Sequence, residues 1–401
     1  MMMKWCTGLV VMALVAGPAN AQISDDVVKI GVLGDMSSLY ADIAGPGSVV
    51  AARLAVEDFG GTVNGKRIEI ISADHQNKPD IGAGIARKWY DTEQVDAIAD
   101  VPNSAVGMAV HGISREKNKV LLGSGTSLTD LTGSQCSPNS VIWTFDTWAL
   151  ANGSGTALVK AGGTSWAFLT ADYAFGHQLE RDTSKVVLAN GGQVLSSSRH
   201  PLNTSDFSSY LLRAQSSGAK VIALANAGAD MANAVKQARE FGIGQGDQKL
   251  AALVAFITDI HSLGLPVAQG LVLTSAFYWD MNDGTRAWTK RFVAGTGGKY
   301  PTMVHAGVYA AVTHYLKAID RVKSDDGKTV VKTMKEMPSK DPLFGEGSIR
   351  PDGRHIHPMY LFEVKKPSES KGPWDYFKLI GTIPAEQAFR PMSEGGCNLV
   401  N

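Results

Sequence analysis

From residue 27 to residue 275 the sequence alternates short apolar runs with longer amphipathic stretches. Strand-like runs fall at 27–33, 67–72, 96–101, 119–122, 165–169, 193–196, 220–225, 251–255 and 271–275. Helical periodicity separates them at 49–59, 81–90, 177–189, 207–215 and 231–241. Such alternation predicts α/β architecture, with parallel strands covered on both faces by helices. Runs such as 251–255 are continuously apolar instead of alternating, as burial on two faces requires. At 401 residues the chain is too long for one ordinary core, so two domains are expected. Equal intervals separate Ile70 from Ile98 and Val194 from Ile222. Each interval holds a strand, a loop with an aspartate (Asp80, Asp206), a helix and a second strand. Glycine pairs, Gly60-Gly61 and Gly191-Gly192, precede both intervals and suit left-handed helix ends. The chain thus reads as two similarly built lobes. After residue 275 come a long helix at 303–322, a shorter one at 329–337, and a hairpin of 358–364 with 374–380.

The N-terminus reads as an export leader over 1–21. Lys4 is a basic start, residues 8–16 are apolar, and Ala19-Asn20-Ala21 is a small-x-small cleavage site. An uncleaved anchor is the competing reading, disfavoured by the short apolar part. Cys6 precedes the apolar part and so is not placed for lipid attachment. A periplasmic protein free of a lipid anchor is expected. Removing Lys4 from 38 basic side chains leaves 37 against 38 acidic ones, which offers no field for nucleic acid or an anionic membrane surface. Cys136 and Cys397 are the cysteines beyond the leader, and in an oxidising compartment they are expected to pair; two buried thiols are the alternative.

No catalytic constellation emerges. Gly82-Ala83-Gly84 lies inside a helical pattern, not at a dinucleotide loop, and Gly123-Ser124-Gly125-Thr126-Ser127 is not a nucleophile elbow. His355-x-His357 is the closest histidine pair, without a carboxylate or cysteine cluster nearby; surface histidines are the plain reading and no metal or other cofactor is expected. The strand ends carry more information. In open α/β sheets ligands gather at the carboxyl ends of strands, where helix N-termini present free N–H groups. Here those ends carry Asp35 to Tyr40 with Ser38, Pro102-Asn103-Ser104, Thr126-Ser127, Asp172 to Gly176 with Tyr173 and Phe175, and Phe277-Tyr278-Trp279. Hydroxyls and N–H groups suit a carboxylate, and aromatics suit an apolar or planar body. Read singly, each serine or threonine could equally be a helix cap and each aromatic a loop packer.

Taken in order, these segments resemble a known family. Val28-Lys29-Ile30-Gly31-Val32-Leu33 with Ser37-Ser38, Gly45-x-Gly47, and Val63-Asn64-Gly65-Lys66 are similar to the leucine/isoleucine/valine-binding proteins. Asn103-Ser104, Thr126-Ser127, Ala171 to Gly176, the helix over 230–242 and Gly307-x-Tyr309-Ala310-Ala311 continue the resemblance. These are type I periplasmic solute-binding proteins serving ABC importers. The resemblance implies two doubly wound parallel-sheet lobes joined by a three-crossover hinge, closing on a ligand between them. It implies a carboxylate held by Asn103 or Ser104 and Thr126 or Ser127, and an aromatic wall at Phe175. Two positions depart from the family pattern. Phe256 stands where amino-acid binders place an acid for the ammonium, and Ala227 where an aromatic is expected.

The resulting expectation is a monomeric receptor for an amino acid or small, including aromatic, organic carboxylate, working with an ABC permease of the inner membrane. Amides and urea-type solutes, or a sensor subunit with the same fold, are alternatives. Asp35, Asp42 or Asp172 could meet an amine instead of the missing acid. The first lobe is expected over 26–146 plus 276–349 and the second over 147–275 plus 350–390, with 391–401 tied back to the first lobe.

Overall fold

A computed structural model describes residues 23–400; the expected leader lies outside the described residues. The first sheet contains β1 (Val27–Gly34), β2 (Thr62–Val63), β3 (Lys66–Asp74), β4 (Ala97–Asp100), β5 (Val120–Gly123) and β6 (Ser140–Ile142). Its order is β2-β3-β1-β4-β5-β6, parallel except for β2. β7 (Ser165–Ala171), β8 (Gln193–His200), β9 (Val221–Ala225) and β10 (Lys249–Ala252) form a second parallel sheet, ordered β10-β9-β7-β8. Every residue of β4, β5, β7 and β9 is buried, which is why these runs lack alternation.

Strand order fixes where a ligand can sit. β1 lies between β3 and β4, and β7 between β8 and β9, so connections leave in opposite directions at these two places. A crevice opens at the carboxyl ends of strands at such a switch point. The loops after β1, β4, β7 and β9 flank the two crevices.

The rest of the chain ties the lobes together. β11 (Val272–Ser275) follows β10, after which the helix Met303–Val322 returns to pack on the first-lobe helix Gly45–Phe59. β12 (Ser339–Asp341), β13 (Gly345–Ile349) and β14 (His355–Ile356) form a small antiparallel sheet beside β6, to which Arg354 is bridged through Ile142. β15 (Met359–Val364) then pairs antiparallel with β11 and with β16 (Phe377–Ile383). The chain therefore passes between lobes after β6, after β11 and after β14. The expected hairpin is present, but its second strand starts at Phe377 and not at 374. Trp374 instead has φ 70° and stacks on His261 with ring centroids 3.9 Å apart.

His355 and His357 correct the surface reading. They are 0% and 1% exposed, because this short strand runs through the junction of the lobes and not along an edge. His355 stacks on Trp143 with centroids 3.9 Å apart, and His357 Nε2 lies 2.9 Å from the Thr144 carbonyl. Burial holds the His357 imidazole down at about 4. The described residues contain no cluster of three or more potential metal ligands. Cys136 and Cys397 form a disulfide, which fastens the C-terminal segment to the first lobe.

Candidate ligand-binding cleft

Three loops aim aromatic side chains into the gap between the lobes. After β1, the Asp35 carboxylate accepts from the Ser38 hydroxyl at 2.8 Å and from the Tyr40 N–H at 2.7 Å, with Asn77 Nδ2 also donating to it. That network turns the loop so that Tyr40 reaches the second lobe, where its hydroxyl lies 2.6 Å from that of Tyr173. Tyr173 is the cap residue of the helix Ala174–Ala189, and Phe175 lies in that helix's first turn, its ring centroid 6.1 Å from the Tyr173 ring. Burial and each other's proximity hold the Tyr40 phenol well above the usual range, and burial does the same for Tyr173. Both stay neutral at any physiological pH. Gly228, with φ +60°, completes the contact: a Cβ there would stand 2.6 Å from the Leu39 carbonyl oxygen. A side chain at this position would hold the lobes apart.

A small cavity of about 20 Å³ lies among these groups, with room for about one water. Tyr40, Ser127, Tyr173, Phe175, Ala227 and Phe256 line it, all expected from the sequence. Pro102, from a strand end named above, lines it too, as do Ile43, Phe145 and Val254, which were missed. Phe145 belongs to the first lobe-to-lobe passage, not to a strand end, and meets Phe256 edge-on with centroids 6.3 Å apart. Only its position in an apolar stretch ending the β6 segment signals it. No charged side chain lines this cavity.

Five expected residues have other surroundings. Asn103 caps the helix Ser104–Glu116, its side-chain oxygen accepting from the N–H groups of Ala105 at 2.9 Å and Val106 at 3.1 Å. Ser104 is the first residue of that helix and is buried. The Thr126 hydroxyl donates to the Val101 carbonyl at 2.5 Å, and Ser38 is bound to Asp35. Tyr278 packs on Phe362 and Phe377 and lines a separate cavity of about 10 Å³, which meets the first through Phe256.

The loop after β4 is strained. Asp100 and Val101 have φ of 79° and 58°, and a β-branched residue there is a backbone outlier. Each such residue costs on the order of 1–3 kcal/mol, and such strain clusters at binding sites. Thr126 and the N–H groups of Ser124 and Gly125, which reach the Asp100 carbonyl at 3.2 and 3.3 Å, hold this turn. Gly125 is required because a Cβ would fall 2.6 Å from Pro102 Cα. Burial pushes the Asp100 carboxyl up to about 7.

The three aspartates considered as partners for an amine are otherwise engaged. Asp35 organises its own loop, Asp42 pairs with Lys299 at 2.7 Å, and Asp172 pairs with His177 at 2.7 Å and Arg199 at 3.9 Å. Two acids not singled out by the sequence also stand beside cleft residues. Asp259 accepts from the Phe256 N–H at 2.9 Å, and burial pushes it up to about 7. Asp230, in the first turn of the helix Gly228–Glu240, accepts from the Asn203 N–H, and burial raises it to about 6. A larger cavity of about 700 Å³ lies by the first residues of β10 and β11, the end of the second lobe away from the cleft. It lies at the amino ends of β10 and β11, opposite the carboxyl ends where ligands gather in such sheets, so its size does not make it the site.

A model of the periplasmic binding protein family matches residues 27–372. The chain belongs to this family. It is an ABC-type solute-binding protein, not an enzyme, built on the type I fold of two parallel-sheet lobes. Among solved structures, it is 51% identical to a periplasmic binding protein from Burkholderia mallei, with 94% of this chain and 100% of that one covered and a TM-score of 0.91. A branched chain amino acid ABC transporter periplasmic ligand-binding protein from Burkholderia xenovorans is 40% identical, covering 93% and 99%, with a TM-score of 0.83. Leu/Ile/Val-binding protein homolog 6 of Brucella melitensis is 27% identical, over 90% of this binding protein and 92% of its relative.

Proposed function

We propose that this protein captures an amino acid or a small organic carboxylate, aromatic acids included, by closing its lobes upon it, and delivers it to an ABC permease of the inner membrane. One observation carries the reading: Tyr40, Phe145, Tyr173, Phe175 and Phe256 converge from both lobes on one cavity that Ser127 also lines. Aromatic walls bury a planar or branched apolar body, and hydroxyls with backbone N–H groups hold a carboxylate without a full positive charge. The helices Ser104–Glu116, Ala174–Ala189 and Gly228–Glu240 begin beside this cavity and favour an anion there. The 2.6 Å bond between Tyr40 and Tyr173 marks a closed clamp, which must open to admit a solute.

The sites in this reading are Ser38, Tyr40, Asn103, Ser104, Thr126, Ser127, Tyr173, Phe175, Ala227, Phe256 and Tyr278, with Phe145 added. Ser38, Asn103 and Thr126 act by shaping the loops that present the others. We assign 26–146 plus 276–349 to the first lobe and 147–275 plus 350–390 to the second. In this reading the protein is a monomer free in the periplasm. Mass spectrometry of small molecules retained through mild purification tests the ligand class. A retained carboxylate supports it; a retained sugar or polyamine sinks it.

A further inference from the structure

We propose that Arg354 is a positioning residue for the cleft, acting through Phe145. Arg354 is 0% exposed and stands where the first and third passages between the lobes meet. Its Nη1 donates to the Phe145 carbonyl at 2.9 Å and its Nε to the His355 carbonyl at 3.0 Å. One planar guanidinium thereby fixes the backbone that carries a cleft-lining ring to the backbone of the third passage. The Asp146 carboxylate, 3.6 Å from Nη1, supplies the counter-charge, and its other oxygen accepts from the Ala149 N–H, starting the helix into the second lobe. A buried guanidinium is costly unless paired and hydrogen-bonded, and here Nη1 and Nε make bonds that rigidify what they touch while the buried Nη2 has no hydrogen-bond partner.

The group is covered from outside. The Phe389 ring lies over the guanidinium, 4.5 Å from the guanidinium carbon to the centroid, and packs edge-on against His357. Phe389 belongs to the C-terminal segment that returns from β16 to the first lobe. Arg390 Nη2 donates to the Thr129 carbonyl at 3.2 Å, Arg350 Nη1 to the Arg390 carbonyl at 2.8 Å, and the Cys136–Cys397 disulfide closes the segment. This strap is a fourth connection between the lobes, and it presses on the residue that holds Phe145. Lysine keeps the charge but lacks the fork that reaches two carbonyls at once.

The proposal rests on reading the Phe145-lined cavity as the solute site, so the experiment has two arms. In hydrogen exchange on the ligand-free protein, Arg354→Lys is expected to speed exchange across 143–147 about tenfold, with 165–171 unchanged. In a double-mutant cycle with L-leucine and 3-phenylpropanoate as probes, Arg354→Lys is expected to weaken the tighter probe about tenfold. In a Phe145→Leu background the same change should cost less than about twofold, since the residue it positions is gone. Unchanged or chain-wide faster exchange overturns the proposal, as does an equal loss in both backgrounds. If neither probe binds the wild type, that result counts against the ligand reading and not against Arg354, which the exchange arm alone then decides. Should Arg354→Lys not fold, Phe389→Leu takes its place in both arms, with about threefold effects expected and none contradicting the proposal.

Discussion

The Tyr40 hydroxyl lies 2.6 Å from the Tyr173 hydroxyl, and this bond joins a first-lobe loop to the start of a second-lobe helix. It is a direct lobe-to-lobe contact at the rim of the cavity, so it favours the closed form with or without a solute. A neutral hydrogen bond contributes about 0.5–1.5 kcal/mol net. Tyr173→Phe is therefore expected to weaken solute binding by about two- to tenfold and to enlarge the radius of gyration of the free protein. Calorimetry and small-angle scattering read the two effects. An unchanged affinity with an unchanged radius contradicts a latch.

The Cys136–Cys397 disulfide spans 261 residues of sequence and ties the strap to the first lobe. The chain-entropy estimate for such a loop is about 5 kcal/mol, and measured values are commonly about 2–4 kcal/mol. The double variant Cys136→Ser with Cys397→Ser is expected to lose stability in that range in urea titration. Thiol titration of the unfolded, unreduced protein prepared without residues 1–21 should find none; two per chain would remove the disulfide from the account.

His305 makes stability pH-dependent. Its Nδ1 accepts from the Thr302 N–H at 3.0 Å and its Nε2 donates to the Ala44 carbonyl at 2.7 Å, an arrangement that requires the neutral ring. Burial lowers it from 6.5 to about 4. Between these values the unfolded chain binds the extra proton and the native state does not. Its contribution is thus fully present above about pH 6.5 and is lost as pH falls toward 4. From pH 7 to pH 5 the wild type is expected to lose about 2 kcal/mol relative to His305→Gln, by linkage for one such group. Buried acids such as Asp100 work in the opposite direction, so the comparison with the variant isolates the histidine. Parallel pH–stability curves for the two proteins contradict this role.

Much of the fold was legible because burial leaves a pattern in the sequence. β4, β5, β7 and β9 are buried throughout, and the corresponding runs are mostly apolar without alternation, with Asp100 the charged exception in β4. Tyr173 and Phe175 were legible as cleft residues because aromatics at a strand-to-helix turn have no core of their own to fill. Phe145 was not legible, since it is brought to the cleft by a passage between lobes that leaves no periodic signal. Asn103 and Thr126 show the reverse limit. A hydroxyl or amide at a strand end serves a helix cap or a strained turn as readily as a ligand, and only coordinates separate the two. His355 and His357 read as surface residues because two histidines in a short strand look solvated. The Trp143 ring that stacks on His355 and the Thr144 carbonyl that His357 Nε2 meets lie more than two hundred residues away in sequence.

The central claim is that the aromatic-walled cavity between the lobes is the site for a carboxylate solute. Calorimetric titration of wild type and Phe175→Ala with leucine, phenylalanine, benzoate and 3-phenylpropanoate tests it most directly. Losing a buried aromatic contact at a site costs about 1–3 kcal/mol. The account predicts saturable one-site binding of at least one of these carboxylates, aromatic or branched acids no weaker than their α-amino analogues, and a loss of that size in the variant. Binding of none of the four, or binding that Phe175→Ala leaves unchanged, would contradict it.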